Sequence, residues 1–237
     1  MKTKLLTIAT MVALMLGTMT KVQAQAPCLP QMHGLEEHQS ASCGFTQMIA
    51  LATGWNWWST YIDADDLLDQ LEASLGTNGM AISTTGGGLT YRNGRWIGTI
   101  TSISNSKGYK IKTNAPVTVE IEGLIVDPEE CPITINEGWN WIGYPLTETQ
   151  TVGTALAGFT PSNGDNIKTQ GGGATYRNGS WLPASFTLEP GKSYAYKSNS
   201  SETKTLIFQT GAKAHSAYPN FGKPKMQPTE IRPTEGN

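Results

Sequence analysis

Four aspartates, Asp63, Asp65, Asp66 and Asp69, crowd one short segment, and glycoside hydrolysis needs only two carboxyls at a suitable separation. Acids at a helix start are also favoured by capping and by the macrodipole, so the same cluster serves a purely structural reading. It lacks the Asp-x-Asp-x-Asp-Gly order of a calcium loop. Cys28, His33, His38 and Cys43 follow one another at intervals of five. Two Cys with two His form a zinc donor set, although the spacing is not one of the usual finger patterns. A Cys28–Cys43 disulfide uses the same residues, and Cys43–Cys131 is a further pairing. The three histidines, His33, His38 and His215, all stand apart from the patterned part of the chain, and no Gly-x-Ser-x-Gly elbow occurs. A hydrolytic triad therefore lacks its base. Gly86-Gly87-Gly88 and Gly171-Gly172-Gly173 are not phosphate loops, because no Gly-Lys-Ser/Thr follows. A bulge, or backbone pressed against an indole ring, is the expectation there. The expectation overall is a protein that is not an enzyme and that has no catalytic residues, metal or cofactor.

The aromatic residues offer the other chemistry. The chain has 7 Trp, and indole faces can stack on sugar rings or fill a core. Most recur in pairs: Trp55 and Trp139, Trp57 and Trp141, Tyr91 and Tyr176, Trp96 and Trp181. Rings kept in both copies are expected to be core filling. Trp58 differs, since its counterpart is Ile142 and its side chain points opposite to Trp55 and Trp57. The predicted ligand-contact set is Trp58, Arg92, Arg95 and Arg177. Arg92 matches Arg177, but Arg95 matches Ser180, so the two copies would present different surfaces.

These residues sit in a duplicated frame. Gly54-Trp55-Asn56-Trp57 returns 84 residues later as Gly138-Trp139-Asn140-Trp141, and Thr90-Tyr91-Arg92-Asn93-Gly94 returns 85 later as Thr175-Tyr176-Arg177-Asn178-Gly179. A fixed period makes the repeat the folding unit. Alternation before each Gly-Trp-Asn-Trp (Ile49 and Leu51; Ile133 and Ile135) reads as strand. Leu67, Leu68, Leu71 and Leu75 form a helical stripe, capped by Asp63 or Asp65, whereas Gly153 weakens the corresponding helix in the second copy. Ile82 to Tyr91 and Trp96 to Ile103 read as a hairpin about Asn93-Gly94, a type I′ turn that places Tyr91 against Trp96. Residues 108–112 and 117–121, and then 193–197 and 206–208, read as a strand pair closing each unit. The fold class expected is mainly β, at most α+β: two tandem antiparallel β-rich units of about 80 residues, each with one short helix. The boundaries are a signal peptide at 1–26, a lead-in at 27–45, repeat 1 at 46–123, a linker at 124–132, repeat 2 at 133–210 and a Pro-rich, disordered tail at 211–237.

Lys2 and Lys4, the apolar run Leu5–Leu16 and Ala24-Gln25-Ala26 have the layout of a secretory leader. No stretch reads as a membrane span. The chain has 17 basic and 19 acidic residues, and losing Lys2, Lys4 and Lys21 with the leader takes its net charge from −2 to −5. An acidic balance without a basic cluster in sequence argues against nucleic acid.

The Gly-Trp-Asn-Trp opening, Tyr-x4-Trp across a turn and a Gly-Tyr-x-Ile-type strand together resemble a module found in tandem in secreted and surface proteins of Bacteroidota. The resemblance covers residues 46–210. It implies an accessory, non-catalytic β-rich unit and names no ligand. The second copy departs from the first at Pro183 and Ser193. The expected function is a secreted binding or adhesion protein whose partner is a glycan or protein surface. The alternatives are a structural spacer or assembly subunit, and a carbohydrate-active enzyme using the clustered aspartates. Oligomeric state is left open.

Overall fold

The computed structural model describes residues 44–210, together with the backbone of Val22–Gln23. The remainder of the leader, the Cys28, His33, His38 and Cys43 set and the Pro-rich tail lie outside the described residues. The protein is mainly β, with antiparallel sheets and few helices. No helix among the described residues is long and apolar enough to cross a membrane.

The strands are β1 (Val22–Gln23), β2 (Phe45–Leu51), β3 (Gly54–Trp58), β4 (Ile62–Asp63), β5 (Gly79–Thr84), β6 (Gly87–Arg92), β7 (Arg95–Gly98), β8 (Tyr109–Thr113) and β9 (Val117–Ile125). They continue as β10 (Ile133–Ile135), β11 (Gly138–Ile142), β12 (Gln150–Thr151), β13 (Asn166–Thr169), β14 (Gly172–Arg177), β15 (Ser180–Leu182), β16 (Thr187–Leu188), β17 (Tyr194–Ser198) and β18 (Lys204–Leu206). The helices are α1 (Leu67–Leu75) and α2 (Val152–Ala155). Two five-stranded sheets share one strand order: β3-β8-β5-β6-β7 and β11-β17-β13-β14-β15. Smaller sheets complete the packing, in the orders β1-β2-β9-β4, β10-β18 and β12-β16.

The Gly-Trp-Asn-Trp motif is a corner between sheets. Gly54 and Gly138 adopt φ of 97° and 81°, a region open mainly to glycine. The following Asn locks the bend. Asn56 Oδ1 accepts the Ala52 N–H at 2.9 Å, and its amide donates to the Ala52 carbonyl at 2.7 Å. Asn140 repeats both bonds with Asn136, at 2.9 and 2.7 Å.

The hairpins form about Asn93-Gly94 and Asn178-Gly179, with φ of 51° and 81°, and 50° and 83°. Both central angles are positive, as a type I′ turn requires. Tyr91 pairs with Trp96 and Tyr176 with Trp181, each with ring centroids 5.3 Å apart. The first hairpin is shorter than the sequence pattern indicated. Gly86, at φ +81°, makes a second turn after Thr84, so Ile82 to Tyr91 is two strands, and of the triple glycine Gly86 lies in the turn while Gly87 and Gly88 open β6. The glycine pressed on an indole is Gly79, where a Cβ would lie 2.5 Å from the Trp96 ring.

The closing strand pairs also differ from expectation. β8 joins β3 and β5, whereas β9 leaves for β2 and β4; likewise β17 joins β11 and β13, whereas β18 pairs with β10. β9 runs to Ile125, into the segment read as a linker. The 3-residue stretch Asn114-Ala115-Pro116 is a crossing between sheets, for which a short loop suffices as well as for a hairpin.

α1 buries Leu67, Leu71 and Leu75. Asp66 is its N-cap position, in place of Asp63 or Asp65, and Asp63 belongs to β4. The helix also satisfies backbone groups of β9. Ser74 hydrogen-bonds Glu120 N–H and C=O at 3.1 and 2.9 Å, and Gln70 does the same for Glu122 at 2.7 and 3.0 Å. Strand groups with no sheet partner are thereby paired and covered. α2 has 4 residues and is capped by Thr151. Two apolar cores result. Trp58, Leu71, Ile82, Ile111 and Ile121 lie in the first, and Ile142, Tyr144, Ile167, Tyr196 and Leu206 in the second.

Candidate functional site

Trp58 is not a surface contact. It is completely buried, pairs in register with Tyr109, and packs on that ring at 5.9 Å. Its side chain does point opposite to Trp55 and Trp57, but that opposite side is the core. Its counterpart Ile142 is buried in the same way. A fully buried indole contributes too much apolar area to be spared for a ligand.

The inversion places Trp55 and Trp139 outward. They are 45% and 47% exposed, so the reading of this pair as core filling is overturned. The other paired rings vary: Trp181 is buried, whereas Trp96, Tyr91 and Tyr176 are half-buried.

Register fixes what shares the outward faces. On the first sheet, Trp55 lies beside Lys112, Ala81, Thr90 and Ile97, and Trp57 beside Lys110 and Ser83. Arg92 and Arg95 pair across the hairpin on the same face, two residues beyond Thr90 and Ile97. On the second sheet, Trp139 lies beside Lys197, Asn166, Thr175 and Leu182, and Trp141 beside Ala195 and Lys168. Arg177, two residues beyond Thr175, shares that face. Arg92, Arg95 and Arg177 are all exposed. Three of the four predicted contact residues thus share outward faces with Trp55 and Trp139, and Trp58 does not. None of these outward positions carries a carboxylate.

The two outward faces meet at a pair of equivalent rings. Trp57 and Trp141, which hold the same place in the duplicated motif, stand 4.7 Å apart at 49°. The surrounding hydrogen bonds exchange in the same way. Ser59 N–H donates to the Gly191 carbonyl at 3.1 Å, and Gly143 N–H donates to the Ser106 carbonyl at 3.1 Å. Ser59 corresponds to Gly143, and Ser106 to Gly191. A contact in which each residue meets the counterpart of its own partner is isologous, with a local two-fold axis at the tryptophan pair. Ser59 Oγ adds a donated bond to the Lys192 carbonyl at 2.7 Å and accepts Tyr144 N–H at 3.1 Å.

Every indole of this run has an ammonium near its ring. Lys110 Nζ is 3.9 Å from the Trp141 centroid and 5.5 Å from that of Trp57. Lys168 Nζ is 4.1 Å from Trp139, and Lys112 Nζ is 5.9 Å from Trp55. These distances are within the cation–π range. The ion pair found among the described residues is elsewhere, between Lys192 and Glu189 at 2.7 Å.

The aspartate cluster lies on the surface. Asp63, Asp65, Asp66 and Asp69 are exposed, and Asp66 accepts from Gln70 Nε2 at 2.7 Å. Among the described residues, no group of three metal-ligating side chains converges. A shallow groove of about 670 Å³ runs between α2 and the β14–β15 hairpin, past Leu156, Phe159, Tyr176 and Trp181. None of the predicted contact residues lines it.

Sequence reasoning missed the outward indoles and their lysines. The signal was present in the spacing of Trp55 and Trp57 against Lys110 and Lys112, two equal alternations that become one face once the strands pair. The fold defines a mainly-β protein. No protein-family model matches the chain, and no curated protein or solved structure matches it either.

Proposed function

We propose that this is a secreted, non-enzymatic binding or adhesion protein that engages a glycan or protein surface through the outward faces of its two five-stranded sheets. The observation that carries the reading is the pair Trp55 and Trp139. Each keeps nearly half its surface in solvent, at equivalent places, beside lysines. Large exposed indoles forgo the stabilisation of burial, and such rings are the anchors that dominate recognition surfaces. The resemblance to tandem accessory modules of Bacteroidota surface proteins points the same way, as does the leader-like N-terminus.

The test is a glycan array and a surface-protein pull-down with the chain and its Trp55→Ala/Trp139→Ala variant. A loss of at least about tenfold in affinity, equivalent to about 1.4 kcal/mol, is expected. Binding that survives in the double variant counts against this face. A second reading, that of a spacer or assembly subunit, draws on the Trp57–Trp141 contact, which joins the two sheets. It predicts ordered oligomers by light scattering.

A further inference from the structure

Resting on that reading, we infer the ligand class: a carboxylated polysaccharide, a polyuronate, laid along the run Trp55, Trp57, Trp141 and Trp139. The rings offer flat apolar platforms for pyranose faces. One two-residue strand step of roughly 7 Å on either side of the central ring pair gives a run on the order of 20 Å, an oligosaccharide's length. A neutral sugar would use the rings alone, yet here each ring has an ammonium close by.

Lys110, Lys112 and Lys168 stand 3.9 to 5.9 Å from the ring centroids, and Lys197 is the cross-strand neighbour of Trp139. Among the described residues none of these four lysines is in an ion pair. The outward positions of the two five-stranded sheets hold no Asp or Glu, although acidic residues outnumber basic ones, 19 to 17, over the whole chain. Cations gathered on a carboxylate-free face of an otherwise acidic protein complement an anionic ligand. A polyuronate combines stacking faces with one carboxylate per sugar. A single-stranded nucleic acid would satisfy the same rings and lysines; the secretory-leader layout of Lys2, Lys4 and Leu5–Leu16 favours the polysaccharide, and oligothymidylate is the competing probe.

The experiment measures binding of the full chain to polygalacturonate, to the same polymer with its carboxylates methyl-esterified, and to oligothymidylate, at low and high salt. Polygalacturonate is expected to bind at least tenfold more tightly than the ester, with affinity falling as salt rises. Lys112→Gln/Lys168→Gln is expected to lose most of that preference. These lysines are at the surface, and a thermal melt checks that the variant folds. Equal binding of acid and ester, lost in Trp55→Ala/Trp139→Ala, overturns the charge inference and leaves the proposed binding face standing. Binding that ignores the tryptophans overturns both. Tighter binding of oligothymidylate makes the ligand a nucleic acid. No binding to either polysaccharide overturns the polyuronate, and the array above then decides on the face itself.

Discussion

Tyr196 donates its phenolic hydrogen to Asp165 Oδ2 at 2.6 Å inside the second core, where both residues are fully buried. The same carboxylate accepts the N–H of Ser162 at 2.9 Å and of Asn199 at 2.7 Å. One side chain thus ties strand β17 and two loops together. The corresponding position in the first half is Met80, which is exposed. Asp165→Ala leaves three donors without their acceptor, each costing about 1–3 kcal/mol when buried. Tyr196→Phe removes one donor only. Urea unfolding should show a loss of at least about 3 kcal/mol for Asp165→Ala and a smaller loss for Tyr196→Phe. Equal losses would mean that the loop amides find other partners.

Two glycines of the second half should respond in opposite directions to the same methyl group. At Gly143 a Cβ would run into the Asn105 carbonyl and lie 3.0 Å from that of Lys107, both backbone atoms across the junction of the two sheets. At Gly153, within α2, it would meet nothing within 4 Å. Gly143→Ala should therefore cost more than about 2 kcal/mol, and Gly153→Ala should gain about 0.4–1 kcal/mol by restricting the unfolded chain. Thermal melts of the two variants, one shifted down and one up, check this.

Alkali should unfold the protein through its tyrosines. Burial holds the phenols of Tyr109, Tyr194 and Tyr196 above their ordinary value of 10.0, and the hydrogen bond to Asp165 raises Tyr196 further. A raised folded-state value favours the neutral phenol. Its stabilisation is complete below pH 10 and is lost as pH climbs above it, because the unfolded chain ionises first. The Cys131 thiol, also raised by burial, starts the loss from its ordinary value of 9.0, so melting temperature should be flat up to about pH 8, sag between about 9 and 10 and fall more steeply beyond that. Tyrosinate absorbance should show a late-titrating group of phenols in the folded protein. Tyr194→Phe, which keeps the ring and removes the ionisation, should soften the fall.

What the residues disclosed, and what they hid, follows from the range of the interactions. The Asn-Gly turns and the Tyr91–Trp96 and Tyr176–Trp181 pairs were legible because a hairpin's register is decided within a few positions. The α1 stripe was legible for the same reason. The alternation placing Trp58 opposite Trp55 was also legible, but not which side was the core. That depends on β8 delivering Tyr109 and Ile111 to one face and Lys110 and Lys112 to the other, fifty residues further on. The passage of β9 and β18 to other sheets was hidden too, since short loops serve hairpins and crossings alike. Asn56 and Asn140 were visible as kept residues. Their corner-locking bonds appear only when β2 and β3 are seen to belong to different sheets. Of the four residues read as contacts, Arg92, Arg95 and Arg177 therefore lie on the outward faces of the sheets, whereas Trp58 lies in the core.

Cys131 should be the slow thiol of this chain. It has no disulfide partner among the described residues and is almost wholly buried. Burial pushes its ionisation up to about 11, and the Asp63 carboxylate adds to the rise. The thiolate is the reacting species, so at neutral pH its population is very small, and the sulfur is shielded as well. Alkylation with iodoacetamide, followed by peptide mass mapping, should label Cys131 in native protein at least about a hundredfold more slowly than after denaturation. Asp63→Asn should raise the native rate modestly, since it removes the smaller of the two causes. A native rate equal to the denatured one would show that the segment around Pro128–Glu130 opens readily, and that Cys131 is not held in the folded packing.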